Sequence, residues 1–208
     1  TKTQMALSNG VDLVIELPTI YSISSAENFA DGAIKILNSL RIVNYISFGS
    51  ETEDLNKLNI IANTLYQEPK EYKEFLTNAL SSGDSFPKAR EKALCSYLQN
   101  SEYSKIISTP NNILGIEYLK ALKKYSSRIK PICLKRKNAG HLSLEYNGEI
   151  SNATNIRNFI YKNRMRDVKT YTTPASYTII REELKNGHYV SNLAPFENII
   201  IYNLRTMS

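Results

Sequence analysis

The sequence predicts an α/β protein whose parallel sheet is flanked by helices. β-rich apolar runs stand at "VDLVIELP" (11–18), ended by Pro18, and at "VNYISFGSE" (43–51), ended by Gly49. Between them Ala26, Phe29, Ala33, Ile36, Leu37 and Leu40 recur at helical spacing, with Ser24 or Ser25 as N-cap. A strand, a helix and a strand in that order, with a crossover of about fifteen residues, make a βαβ unit, and such a unit implies parallel strands.

A third β-rich run, "RIKPICLKR" at 128–136, is broken by Pro131, which marks an edge strand or a strand that starts after the proline. The expected parallel strands are therefore Val11–Leu17, Tyr45–Phe48 and Ile132–Lys135. Three helices are predicted over Asp54–Tyr66, Pro69–Ser81 and Phe86–Leu98, and a fourth from Pro110 to Tyr125, with Pro110 in the first turn where a missing N–H costs nothing. Residues 137–149 carry two glycines and little periodicity, which reads as an exposed loop. Helices at 154–163, Ala175–Lys185 and Pro195–Leu204 complete the chain.

At 208 residues the chain can hold one large domain, or one domain with a smaller module. Its apolar runs are too short to cross a bilayer, and Asp12 and Glu16 interrupt the first of them, so no membrane partner is expected. Cys95 and Cys133 lack histidine neighbours at zinc spacing and read as buried thiols of a reducing cytoplasm. No metal site is expected: His141 and His188 each follow a glycine outside the strand-to-helix turns. The chain has no initiator Met, and a sheet of these three strands would lack central neighbours. Both ends read as cuts through a longer protein.

The net charge of +6 is unevenly spread. Between 128 and 169 ten cations stand against Glu145, Glu149 and Asp167, a balance that attracts polyphosphate or nucleic acid, or is simply a solvated basic face. Ligands of open α/β sheets bind at the carboxyl ends of the strands. There the sequence places "FGSE" (48–51), where Gly49 permits close approach, and "TPNNILG" (109–115), where Asn111 and Asn112 offer amides or a helix cap. "LKRKNAGH" (134–141) follows, with Arg136 best placed for a phosphate. "ISNATNIRNFI" (150–160) then opens a helix with small polar residues. Ser151, Thr154 and Arg157 beside its first N–H groups make either a cap or an anion site, and the basic strand end before it favours the anion.

In order and spacing, "MALSNGVDLVIELP", "SAENFADGAIKILNSL", "FGSE", "PNNILGIEYL", "IKPICLKR" and "ISNATNIR" resemble the bacterial tRNA(Met) cytidine acetate ligases, from about Met5 to Pro174. The resemblance implies a Rossmann-like, HUP-type nucleotidyltransferase domain over 1–170, with a helical insertion at about 54–108 and the start of a C-terminal helical region at 171–208. It implies a ligase that activates acetate with ATP, accompanied by Mg²⁺, and acetylates N4 of the wobble cytidine of elongator tRNA(Met). It assigns ATP contacts to Gly49, to Asn111 or Asn112, and to Arg136, and aligns Asn152–Arg157 with a block that usually begins with Ser. The family's H-x-G-H motif occurs nowhere in these 208 residues, so no catalytic residue is assigned and the chain alone is expected to be inactive.

Lys162, Arg164, Arg166 and Lys169 follow the 154–163 helix and are expected to hold the tRNA. Two other readings stay open at this point: a small-molecule adenylyltransferase of the same superfamily, and an inactive tRNA-binding module.

Overall fold

The computed structural model describes residues 1–136, 151–190 and 196–207. In chain order the elements are α1 (Lys2–Ser8), α2 (Thr19–Ser22), α3 (Ala26–Ser39), β1 (Tyr45–Ser50), α4 (Leu55–Gln67), α5 (Lys70–Ser81) and α6 (Phe86–Leu98). There follow α7 (Glu102–Ile107), α8 (Pro110–Lys124), β2 (Lys130–Lys135), α9 (Ala153–Tyr161), α10 (Met165–Tyr171), α11 (Pro174–Lys185) and α12 (Glu197–Thr206). They fall into two compact units, Glu16–Lys137 and a second made of Thr1–Ile15 with Asn138–Ser208. The loop expected over 137–149 lies outside the described residues.

Local chemistry starts the helices of the Glu16–Lys137 unit. Ser25 accepts the Asn28 N–H at the head of α3, and Asp54 accepts the Lys57 N–H at the head of α4. Pro110 occupies the first turn of α8. Helix α8 is the centre of the unit: α3 and α4 both pack on it, and it lies against β1. Ile34, Phe48, Leu58, Ile61, Ile116 and Leu119 are buried together where these elements meet, with Leu94 of α6 in the same core.

The sheet is the parallel pair β1–β2, in register from Tyr45 opposite Lys130 to Ser50 opposite Lys135. Along β1 the side chains alternate as the pleat requires, with Ile46, Phe48 and Ser50 buried and Tyr45, Ser47 and Gly49 exposed. Strand β2 begins two residues earlier than expected and contains Pro131. The Lys130 N–H donates to Asn44 O at 2.9 Å and the Arg136 N–H donates to Ser50 O at 2.9 Å. Even-numbered residues of β2 therefore bond to β1, and the absent N–H of Pro131 falls in the phase that faces away from it.

One expectation fails. Val11–Leu17 forms no strand, with a bend at Asp12, and Val11, Leu13, Val14 and Ile15 are exposed. A strand exists only through the ladder of a neighbour, and among the described residues β1 and β2 pair only with each other. The βαβ unit thus keeps its helix and its second strand and lacks its first.

In the other unit, α9, α10 and α11 bury Phe159, Val168 and Ile180, with Met5 of α1, Ile156 and Leu184 packed against them. Phe159 and Tyr171 stack at 5.9 Å between ring centroids. Helix α12 is exposed along its length. Among the described residues no helix is long and apolar enough to cross a membrane.

Sheet and helix pack closely at Gly115, where an added Cβ would lie 2.6 Å from Cε2 of buried Phe48. Gly115→Ala should cost about 1–3 kcal/mol through overpacking. It should lower the denaturant midpoint with the slope unchanged. An unaltered midpoint would mean that the Phe48 ring can give way.

Candidate functional site

The carboxyl end of β1 and the start of α8 are joined by one buried amide. Asn112 is 2% exposed. Its Oδ1 accepts the Ser50 hydroxyl, the Glu51 N–H at 2.9 Å and the Thr52 N–H at 3.2 Å, while its Nδ2 donates to Ile106 O at 3.0 Å. The Cys133 thiol of β2 reaches Thr52 O at 3.3 Å from the other side. The loop after β1 is therefore tied to α7, α8 and β2 at once.

Glu51 answers from the loop to the helix. Its Oε2 accepts the Asn112 N–H at 2.9 Å, and its Oε1 accepts Asn111 Nδ2 at 2.6 Å and the Asn111 N–H at 3.4 Å. Pro110 has no N–H, and the Ile113 N–H donates to Thr109 O at 3.0 Å. The first turn of α8 is thus satisfied from within, with a carboxylate at the positive end of its dipole. Burial disfavours the charged form of Glu51. The Asn111 amide and the N–H groups of Glu51, Asn112 and Asn111 outweigh it and hold the carboxyl below its ordinary 4.5.

Arg136 leaves β2 at the same end of the sheet, and its Nη1 donates to Asn111 Oδ1 at 3.0 Å. Its stem lies over Gly49, where an added Cβ would meet Arg136 Cγ at 3.2 Å. The glycine therefore makes room for the arginine, a role beyond the close ligand approach read from the sequence. Ser47, Gly49, Asn111, Leu114, Gly115 and Tyr118 line a groove of about 260 Å³ between β1 and α8. Gly49, Asn111, Asn112 and Arg136 do meet. Within the asparagine pair the structure separates the roles: Asn112 is sealed beneath the loop, and Asn111 is half-buried beside Arg136. Glu51 is the member that sequence reasoning left unassigned, because sequence order does not show that this acid meets a Pro-Asn-Asn helix start 60 residues away.

Ser151, Thr154 and Arg157 belong to the other unit. Asn152 caps α9 by accepting the Asn155 N–H at 2.8 Å, so the stretch does act as a cap. Thr154 and Arg157 are exposed, while the Ser151 hydroxyl is buried with no hydrogen-bond partner among the described residues. Arg157 also borders a largely apolar cavity of about 750 Å³, with Met5, Ile156, Ile160, Tyr171 and Leu184. Of the basic residues beyond α9, Lys162, Arg166 and Lys169 are exposed. Arg164 is exposed as well, but it pairs with Asp167 through two hydrogen bonds of 3.0 Å and lies 4.9 Å over the Phe159 ring.

Two outcomes follow from this geometry. Asn112→Ala should cost about 1–3 kcal/mol, because buried donors lose their acceptor, whereas Asn111→Ala should cost under about 1 kcal/mol. Equal losses in thermal or denaturant unfolding would contradict the division of roles. Since the folded Glu51 carboxyl lies below 4.5, its contribution is complete above that value and is lost as pH falls through the lower, folded one. Exchange of the Asn112 amide proton, corrected for intrinsic rate, should be flat from neutral pH down to 4.5 and quicken only below it. Quickening that begins between pH 7 and 5 would assign the protection to another group.

A family model described as HIGH Nucleotidyl Transferase matches residues 1–208. A tRNA(Met) cytidine acetate ligase of Thermoanaerobacter sp. (strain X514) is 48% identical over 204 residues, 98% of this chain and 51% of that protein. The protein of the same name from Halothermothrix orenii is 43% identical over 215 residues, 100% of this chain and 51% of its own length. Thermotoga maritima TmcAL superposes with a TM-score of 0.88 in its apo crystal, at 34% identity, over 93% of this chain and 47% of that one. The crystal of the same protein bound with alpha-thio ATP gives 0.79 at 34% identity, over 90% and 44%. The chain spans about half the length of the curated relatives it matches. With the model matched along its whole length and the parallel pair at its core, the chain belongs to the HIGH nucleotidyltransferase family.

Proposed function

We propose that this chain is the ATP-binding part of a tRNA(Met) cytidine acetate ligase. In this reading acetate attacks the α-phosphorus of ATP, pyrophosphate leaves, and acetyl-AMP passes its acetyl group to N4 of the wobble cytidine of elongator tRNA(Met). The observation that carries it is Arg136, its stem over Gly49 and its guanidinium bonded to Asn111, at the carboxyl end of two parallel strands. A cation there suits a nucleotide phosphate, and the neighbouring groove pairs apolar walls with one amide, as a base slot does. The names of the relatives and the ATP analogue bound to one of them support the same reading.

Adenylate formation needs cations and N–H groups around the phosphates more than a covalent nucleophile. Arg136 supplies the charge in the Glu16–Lys137 unit. Ser151, Thr154 and Arg157 are assigned to the phosphates as well, since the Asn152 cap leaves the Ala153 and Thr154 N–H groups outside its hydrogen bonds. Among the described residues no cluster of three His, Cys, Asp or Glu side chains could hold a metal ion. The Mg²⁺ of this reading would arrive with ATP and offset the charge of its phosphates. Lys162, Arg166 and Lys169 are the residues assigned to the tRNA, with Arg164 ordering the start of α10 through Asp167. The cytoplasm is the compartment in which such a substrate would be met.

In the full-length protein, Arg136→Ala should slow acetate-dependent ATP–pyrophosphate exchange by roughly 100-fold, because a charge-assisted hydrogen bond to phosphate disappears. An unchanged rate would end the nucleotide reading. Replacing Lys162, Arg166 and Lys169 together by Ala should leave that exchange intact. It should also flatten the salt dependence of tRNA binding by about one unit of slope for each phosphate no longer neutralised. Equal loss of exchange and tRNA binding, or loss of neither, would refute the assignment.

A further inference from the structure

Glu51 sits at the far end of a three-residue line that no functional role yet explains. An ionised carboxylate only accepts hydrogen bonds and a guanidinium only donates them. Asn111 lies between the two, its Nδ2 giving to Glu51 Oε1 at 2.6 Å and its Oδ1 receiving from Arg136 Nη1 at 3.0 Å. The reversed amide would set NH₂ against the guanidinium and its carbonyl against the carboxylate. The line therefore admits one orientation of Asn111, and Glu51 selects it. The same carboxylate takes the Asn111 and Asn112 N–H groups, so the backbone that carries the amide is fixed by the same group.

We propose that Glu51 is a positioning residue of the nucleotide site, orienting the Arg136 guanidinium through the amide of Asn111. The assignment rests on the nucleotide reading given above. A helix cap alone would need only the two backbone N–H groups. The bond to the side chain is the shortest of the three, and it is the one that leads to Arg136. Gly49 belongs to the same device, because it leaves the arginine stem a bed against which the head can be aimed.

A double-mutant cycle in the full-length protein, read as ATP affinity by titration calorimetry, tests this. Arg136→Ala should weaken binding by roughly 100-fold and Glu51→Gln by about tenfold, since Gln turns one acceptor oxygen into a donor that opposes an N–H. In the Arg136→Ala background Glu51→Gln should change ATP affinity less than about twofold, because nothing is left to orient. A purely structural cap would weaken binding by the same factor in both backgrounds, and that additivity would overturn the proposal. If Glu51→Gln lowers the melting temperature so far that it cannot be titrated, Glu51→Asp takes its place, keeping the charge at the helix start while shortening the reach to the Asn111 amide. The same non-additivity with Arg136→Ala is then expected, and additivity again overturns it. Arg136→Ala binding ATP as tightly as the wild type would remove the nucleotide reading itself. A weakened Arg136→Ala with an additive cycle removes only the role of Glu51.

Discussion

The carbonyl oxygen of Asn112, buried and shared by three donors, is the interaction on which the site depends. A chain leaving a parallel strand must turn, and its N–H groups lose the ladder as it does so. At this turn the Ser50 hydroxyl and the Glu51 and Thr52 N–H groups find one acceptor on α8. Because the amide nitrogen is itself bound to Ile106 O, the asparagine cannot swing away to serve another partner. The strand end, the loop and the helix start are thereby one rigid piece. Glu51 can reach back to α8 only because its own backbone is held there first.

That order of dependence explains why the sequence disclosed the region and not its internal roles. "FGSE" and "PNN" are legible as a strand end and a helix start because a glycine, a Pro in the first turn and cap-forming residues mark such places. Adjacent residues on a helix point about 100° apart, so two neighbouring asparagines can meet quite different surroundings. Which of the two is buried depends on where β1 docks, a matter settled by Phe48 lying against Gly115 of a distant helix. Gly49 shows the same limit: the stem that fills the space above it comes from Arg136, beyond another strand.

The failures have equally definite causes. Val11–Leu17 has the composition of a buried strand, yet composition cannot provide the neighbour whose hydrogen bonds define one. Helices α7 and α10, with six and seven residues, escape sequence reading because two turns are too short to display a 3.6-residue period. Pro131 looks like a boundary and is an interior residue, since only one phase of a strand's N–H groups faces a given neighbour. In each of the strand cases the deciding quantity is a neighbour distant in sequence. The basic stretch after α9 is visible as charge, but the pairing of Arg164 with Asp167 also requires the turn that brings them together.

The starts of α8 and α9 are electrostatically unlike. Helix α8 begins against the Glu51 carboxylate, so its dipole is answered and its first N–H groups are consumed. An incoming phosphate would meet a negative charge there, and attraction at this end must come from Arg136 as a side-chain cation. Helix α9 begins against the neutral amide of Asn152, with no acid in its first turn and Arg157 exposed one turn on. The positive end of its dipole is unanswered by any charge of its own helix. Each unit taken by itself, an anion at the α8 start would be drawn by one aimed guanidinium and an anion at the α9 start by backbone N–H groups.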